Sequence, residues 1–240
     1  MNKAQPTIMW DFENTLAYRP GRWRSALMDV LDEYEPGHNI DTEQIRLYLR
    51  DGFPWHQPNL SHHHLSTATS WWIHVESILA RAYTGVGFDS FRAKTLARLA
   101  HEHFVNPQGF TVYDDTVPTL EELLRRGWKH VILSNHVPEL PEIVDALGLT
   151  PFIGLCITSA AIGYEKPNSE AFRIALREAG HPEIVCMIGD NLEADVRGAE
   201  SIGIPAILVR ATESADVRYY AHNLQDTTAI VEALKETKRT

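Results

Sequence analysis

Residues 184–210, IVCMIGDNLEADVRGAESIGIPAILVR, carry the pattern that decides the fold. An apolar, β-rich run ends in Gly-Asp, the amphipathic segment LEADVRGAESIG follows and itself ends in Gly, and a second apolar run, PAILVR, closes the unit. Two short apolar runs joined by an amphipathic helix read as a βαβ unit, whose strands lie parallel and are buried on both faces. The same alternation extends backward along the chain. TVPTLEELLRRG leads to HVILSN, PELPEIVDALGL to FIGLCITS, and NSEAFRIALREAG to IVCMIGD, while TIMWDF near the start supplies one more strand. These units predict an α/β protein with a Rossmann-like parallel sheet and helices on both faces.

Residues 20–105 have another texture. WRSALMDVLDEY, DTEQIRLYLR, TATSWWIHVESILARAY and SFRAKTLARLAHEHF carry apolar residues at helical spacing, with no convincing strand among them. An all-helical bundle inserted into the α/β core is expected there, giving a core of residues 1–19 and 106–240 and an insert of residues 20–105. Trp23, Trp55, Trp71 and Trp72 all fall in the insert.

The chain of 240 residues holds 22 Lys plus Arg against 32 Asp plus Glu, a formal charge of −10, and its only dense basic run is the terminal KETKRT. Nucleic acid is therefore a poor principal partner. MNKAQPTIMW is too short an apolar stretch for a secretory signal, and no apolar run approaches the roughly 20 residues of a membrane span. Cys156 and Cys186 lie in strand-like runs, which suits free thiols in a reducing compartment. A cytoplasmic protein is expected, with no membrane partner and no assigned oligomeric state.

Ligands of open parallel sheets bind at the carboxyl ends of the strands. TIMW runs into Asp11, VILS into Ser134 and Asn135, and CMIG into Asp190, while the loop IGYEKPNSEAF places Lys166 before a helix. Carboxylates, a hydroxyl and an ammonium around one edge suit Mg²⁺ and a phosphoryl group, because Mg²⁺ takes one or two carboxylates, carbonyl oxygen and water and leaves room for phosphate oxygens. Ser134 and Lys166 would complement the charge on that phosphate. Asp11 would be the nucleophile, since an aspartate can accept a phosphoryl group.

In that order DFENTL, LSNH, EKPNSEAF and IGDNLEADVRGAESIG resemble the four motifs of the haloacid dehalogenase-like hydrolases, in their phosphoglycolate phosphatase-like form, and the helical insert resembles that family's cap. The resemblance implies Asp11 as nucleophile and metal ligand, the backbone carbonyl of Glu13 and the Asp190 carboxylate as further Mg²⁺ ligands, and Ser134, Asn135 and Lys166 on phosphate. Asp195 would support the metal or Lys166, with Asn191 and Thr15 as supporting positions in their motifs. The acidic pair Asp190 and Asp195 favours a Mg²⁺-dependent phosphatase acting on a small phosphorylated metabolite over a metal-free dehalogenase. The alternatives are a phosphotransferase or phosphomutase of the same family, and a weakened enzyme that binds phosphate ligands.

One motif departs from the family pattern. Glu13 stands where the phosphatases carry the Asp that protonates the leaving alcohol and later activates water, so it keeps the acid but lengthens its reach. Asn14 stands where the family loop carries Gly, and Asn tolerates a left-handed backbone. Around the site, Arg19 and Arg22 fall at the expected hinge, where either could meet an anionic substrate. Trp71, Trp72 and His74 read mainly as bundle core. His62, His63 and His64 read as a solvated loop and not a metal site, because adjacent residues do not share one helical face.

Overall fold

The computed structural model of the chain describes residues 5–237, so residues 1–4 and the last three of the KETKRT tail lie outside it. The chain begins with β1 (Thr7–Trp10), turns sharply and forms the short β2 (Ala17–Tyr18). Four helices follow: α1 (Arg22–Tyr34), α2 (Thr42–Arg46), α3 (Ala68–Gly85) and α4 (Ser90–Val105). Their starts obey ordinary capping chemistry. Asp41 and Thr67 form capping boxes with Gln44 and Ser70, and the Asp89 carboxylate accepts from the backbone of Phe91 and Arg92.

β3 (Thr111–Val112) then pairs antiparallel with β2, so the chain entering the helical segment is tied to the chain leaving it. This two-stranded ribbon is absent from the sequence expectations. The remaining elements alternate: α5 (Thr116–Arg125), β4 (Lys129–Ser134), α6 (Leu140–Ala146), β5 (Leu155–Thr158), α7 (Ser159–Ile162), α8 (Ser169–Glu178) and β6 (Val185–Gly189). After a π-helical turn at Leu192–Arg197 come α9 (Gly198–Glu200), β7 (Ala206–Val209), β8 (Tyr220–Ala221) and α10 (Leu224–Thr237).

Six strands form one sheet in the order β5-β4-β1-β6-β7-β8, and every pairing in it is parallel. β1 is central, with Trp10 in register with Ile132 of β4 and Ile188 of β6, which brings the residues after all three strands to one edge. Ile8 and Trp10 face one hydrophobic cluster and Met9 the other, the period-2 alternation of a strand buried on both sides. The first cluster continues without a break into α1, α3 and α4 through Leu27, Val75, Leu79 and Leu96.

The helical segment also touches the core directly. The His62 backbone N–H donates to Gly163 O at 2.8 Å, Asn168 Nδ2 donates to Pro58 O at 3.0 Å, and Trp72 Nε1 donates to Glu139 at 2.8 Å. The histidine cluster therefore departs in part from the solvated-loop expectation. His63 and His64 are exposed, but His62 is buried against the core, with Nε2 3.1 Å from Gln57 O. Among the described residues, no helix is long and apolar enough to cross a membrane.

Candidate active site

The loop after β1 closes on itself. Phe12 O accepts from the N–H groups of Thr15, Leu16 and Ala17, and Asn14 N–H donates to Ala17 O at 2.7 Å. Asn14 sits at φ +61°, the left-handed conformation that explains why Asn can replace Gly here. Its side chain has a second role that the sequence does not disclose, because Nδ2 lies 3.3 Å from Asp190 Oδ2 on another strand end. The loop is held from behind by Thr116 Oγ1 on Leu16 O at 2.7 Å and Arg210 Nε on Thr15 O at 2.9 Å. Arg210 is itself held by Asp115, whose other oxygen accepts from Leu224 N–H. Thr15 thus supports the loop from behind through its carbonyl.

The predicted residues converge. Asp11 Oδ1 accepts from Ser134 Oγ at 2.8 Å and from Lys166 Nζ at 2.8 Å, and Lys166 Nζ also lies 2.5 Å from Asp195 Oδ1. Lys166 is buried, which works against its charge, yet Asp11 and Asp195 hold the ammonium above the usual lysine range. Asn135 makes a two-bond clasp on the Lys166 backbone, with Nδ2 on Lys166 O at 2.8 Å and Oδ1 on Lys166 N–H at 2.7 Å. Asn191 caps the π-helical turn by accepting from Glu193 and Ala194, and its own N–H donates to Asp195 Oδ2 at 3.0 Å.

Asp11, Asp190 and Asp195 can each offer one oxygen within 4.8 Å of the others. Burial, with Asp11 and Asp195 close by, pushes the Asp190 carboxyl up to about 7. The donor set is all carboxylate, with no His or Cys, and hard oxygen donors fit Mg²⁺ better than a softer metal.

Gly189 makes this packing possible. A Cβ there would lie 2.1 Å from Asp195 Oδ2, and Asp195 cannot retreat without leaving Lys166 and the Asn191 amide. Gly189→Ala is expected to cut turnover on the order of 100-fold by displacing these groups and to lower the melting temperature. Steady-state kinetics beside a thermal melt checks both, and near-normal turnover would sink the geometric claim.

These groups line a cavity of about 480 Å³ whose other wall comes from the helical segment, through Arg22, Trp23, Trp55 and Phe104. Glu13 stands between the two. Its Oε1 accepts from Arg19 N–H at 2.9 Å and lies 4.0 Å from Arg22 Nε, and its Oε2 is 3.8 Å from His136 Nε2. His136 is missed by sequence reasoning. It is buried among Phe12, Phe104 and Phe110, and neither ring nitrogen has a hydrogen-bond partner among the described residues. Only its place directly after Ser134-Asn135 signals it. Trp71, Trp72 and His74 do not line the cavity. Arg19 is buried, with its guanidinium over Phe104 and Phe110 in space that Gly109 leaves open.

The model of the haloacid dehalogenase-like hydrolases matches residues 6–203. Human haloacid dehalogenase-like hydrolase domain-containing protein 3 is 28% identical over 217 residues, covering 87% of this chain and 83% of that protein. A phosphoserine phosphatase of Thermus thermophilus is 36% identical over 113 residues, 46% of this chain and 45% of the relative. Among solved structures, the HAD-hydrolase YfnB from Bacillus subtilis, bound to magnesium, superposes with a TM-score of 0.70 at 18% identity, covering 96% of this chain and 100% of that one. With three strand-end motifs and the Lys166 loop before α8 converging on one edge and a family match over most of the length, the chain belongs to the haloacid dehalogenase-like hydrolases.

Proposed function

We propose that this protein is a Mg²⁺-dependent phosphatase that hydrolyses a small phosphomonoester through a phosphorylated Asp11, with residues 20–105 as its cap. The observation that carries this reading is the placement of Ser134 Oγ, Lys166 Nζ and two further carboxylates around Asp11. Relatives named phosphoserine phosphatase and glyceraldehyde 3-phosphate phosphatase support the reaction class.

Asp11, the Glu13 carbonyl and Asp190 would hold Mg²⁺, which when bound supplies positive charge to the phosphoryl oxygens. The remaining chemistry belongs to the chain. Ser134, the backbone at Asn135 and Lys166 bind and orient the phosphate. An Asp11 oxygen forms a bond to phosphorus as the ester P–O bond breaks, and the leaving oxygen takes the Glu13 proton. Water then gives a proton to Glu13 and attacks phosphorus, which frees Asp11 and inorganic phosphate. The cap walls exclude bulk water during the transfer.

Phosphate release from p-nitrophenyl phosphate is expected with Mg²⁺ and not with EDTA. Mg²⁺ also relieves the repulsion among Asp11, Asp190 and Asp195, so saturating metal should raise the melting temperature by roughly 5–10 °C. The Asp190→Asn protein should show no such rise. Metal-independent phosphate release, or a melt indifferent to Mg²⁺, would overturn the assignment.

A further inference from the structure

The catalytic cavity adjoins a second cavity of about 480 Å³, and Arg22, Trp23 and Trp55 line both. The second cavity is lined by five arginines, Arg19, Arg22, Arg24, Arg46 and Arg50, and by no Asp or Glu. On a chain of formal charge −10 this is a concentrated positive patch. Its acidic neighbours only partly neutralise it. Glu43 serves both Arg24 at 3.6 Å and Arg46 at 2.7 Å, Asp29 lies 3.8 Å from Arg19, and Glu13 lies 4.0 Å from Arg22. Arg19 keeps its guanidinium buried over Phe104 and Phe110, so four guanidinium groups, those of Arg22, Arg24, Arg46 and Arg50, are left for a ligand against the two carboxylates Glu13 and Glu43, and Arg50 has no carboxylate within salt-bridge distance among the described residues.

The border between the cavities is aromatic. Trp23 stacks on Phe104 with centroids 3.7 Å apart, and Trp55 stacks on Phe53 at 4.5 Å. Stacked on their neighbours, these rings are fixed in place, and a rigid aromatic wall favours a planar ring laid against it. Guanidinium forks in turn suit the oxygens of a phosphate.

We propose that the substrate is a bisphosphorylated compound with a planar ring, the scissile phosphate at Asp11, the ring along Trp23 and Trp55, and the second phosphate among the arginines. For the first phosphate, this inference rests on the phosphatase reading.

Isothermal titration of the Asp11→Asn protein with Mg²⁺ present tests it without turnover, using adenosine 3′,5′-bisphosphate and adenosine 5′-monophosphate as probes. The bisphosphate is expected to bind at least tenfold more tightly. In an Asp11→Asn, Arg46→Ala, Arg50→Ala protein the ratio of the two affinities should shrink to about twofold, and because both arginines are exposed the fold should hold. A ratio near one in the parent, or a ratio unchanged by removing the arginines, overturns the inference. The two readings fail separately. Wild-type protein that releases phosphate from the monophosphate while the affinity ratio is one loses only this inference. A tenfold ratio with no phosphate release from any ester loses only the phosphatase reading, and the second phosphate site stands.

Discussion

The Asp11→Asn protein is expected to fold and to release phosphate about 10⁴-fold more slowly, or slower still. The amide is nearly isosteric, and its oxygen can still accept from Ser134 Oγ and Lys166 Nζ, the two groups that meet Asp11 Oδ1 at 2.8 Å. Lys166 keeps a carboxylate partner in Asp195 at 2.5 Å, so its buried charge is not stranded. Removing one of three crowded carboxylates also lessens the repulsion that burial and its neighbours impose on Asp190. Stability should therefore stay within about 1–2 kcal/mol of wild type, while the proposed nucleophile is gone. Acid-quenched wild-type protein should carry the mass of one added phosphoryl group during turnover, and the variant should not. Turnover in Asp11→Asn within tenfold of wild type would remove Asp11 from the nucleophile's role.

Much of this site is legible in the sequence because its parts are local. Asp11, Ser134 and Asp190 each end a short apolar run, and a parallel sheet sends every such end to the same edge. Lys166 is legible in the same way, as the residue before a Pro in the loop leading to α8. What the sequence hides depends on packing between distant segments. His136 meets Phe12 and Phe104, residues far from it along the chain, and Asn14 reaches Asp190 across 176 positions. The ribbon of β2 and β3 is two residues on each side, too short for a period-2 signal, and β8 is equally short. His62 looks solvated in a run of three histidines, and its contacts lie outside that run, its backbone N–H on Gly163 O and its Nε2 beside Gln57 O. The arginine-lined cavity joins two separate stretches, AYRPGRWRS and IRLYLRDGF, neither of which is a dense basic run.

In the proposed cycle Glu13 serves two steps, and the two can be separated experimentally. In Glu13→Gln, the amide can neither protonate a leaving oxygen nor take a proton from water. An aryl phosphate has a good leaving group and needs little help from an acid, so phosphorylation of Asp11 should proceed while hydrolysis of the phosphorylated protein stalls. The expected record is a burst of p-nitrophenol of about one equivalent, then turnover slowed on the order of 10²–10⁴-fold. Absence of the burst, with steady turnover near wild type, would show that another group activates the water. Glu13→Asp asks the complementary question of reach. The glutamate carboxylate meets the Arg19 N–H at 2.9 Å and stands 3.8 Å from His136 Nε2 and 4.0 Å from Arg22 Nε. Shortening the side chain by one methylene withdraws the carboxylate from all three, and a displacement of about 1 Å costs on the order of 100-fold when it misplaces an acid. Glu13→Asp should therefore lose turnover, with kcat falling more than KM rises, because the chain around position 13 is built for the longer acid. A rise in kcat would reverse that conclusion, showing that the shorter carboxylate is the better fit and that the contacts to Arg19, Arg22 and His136 hold the natural residue away from the reacting phosphate.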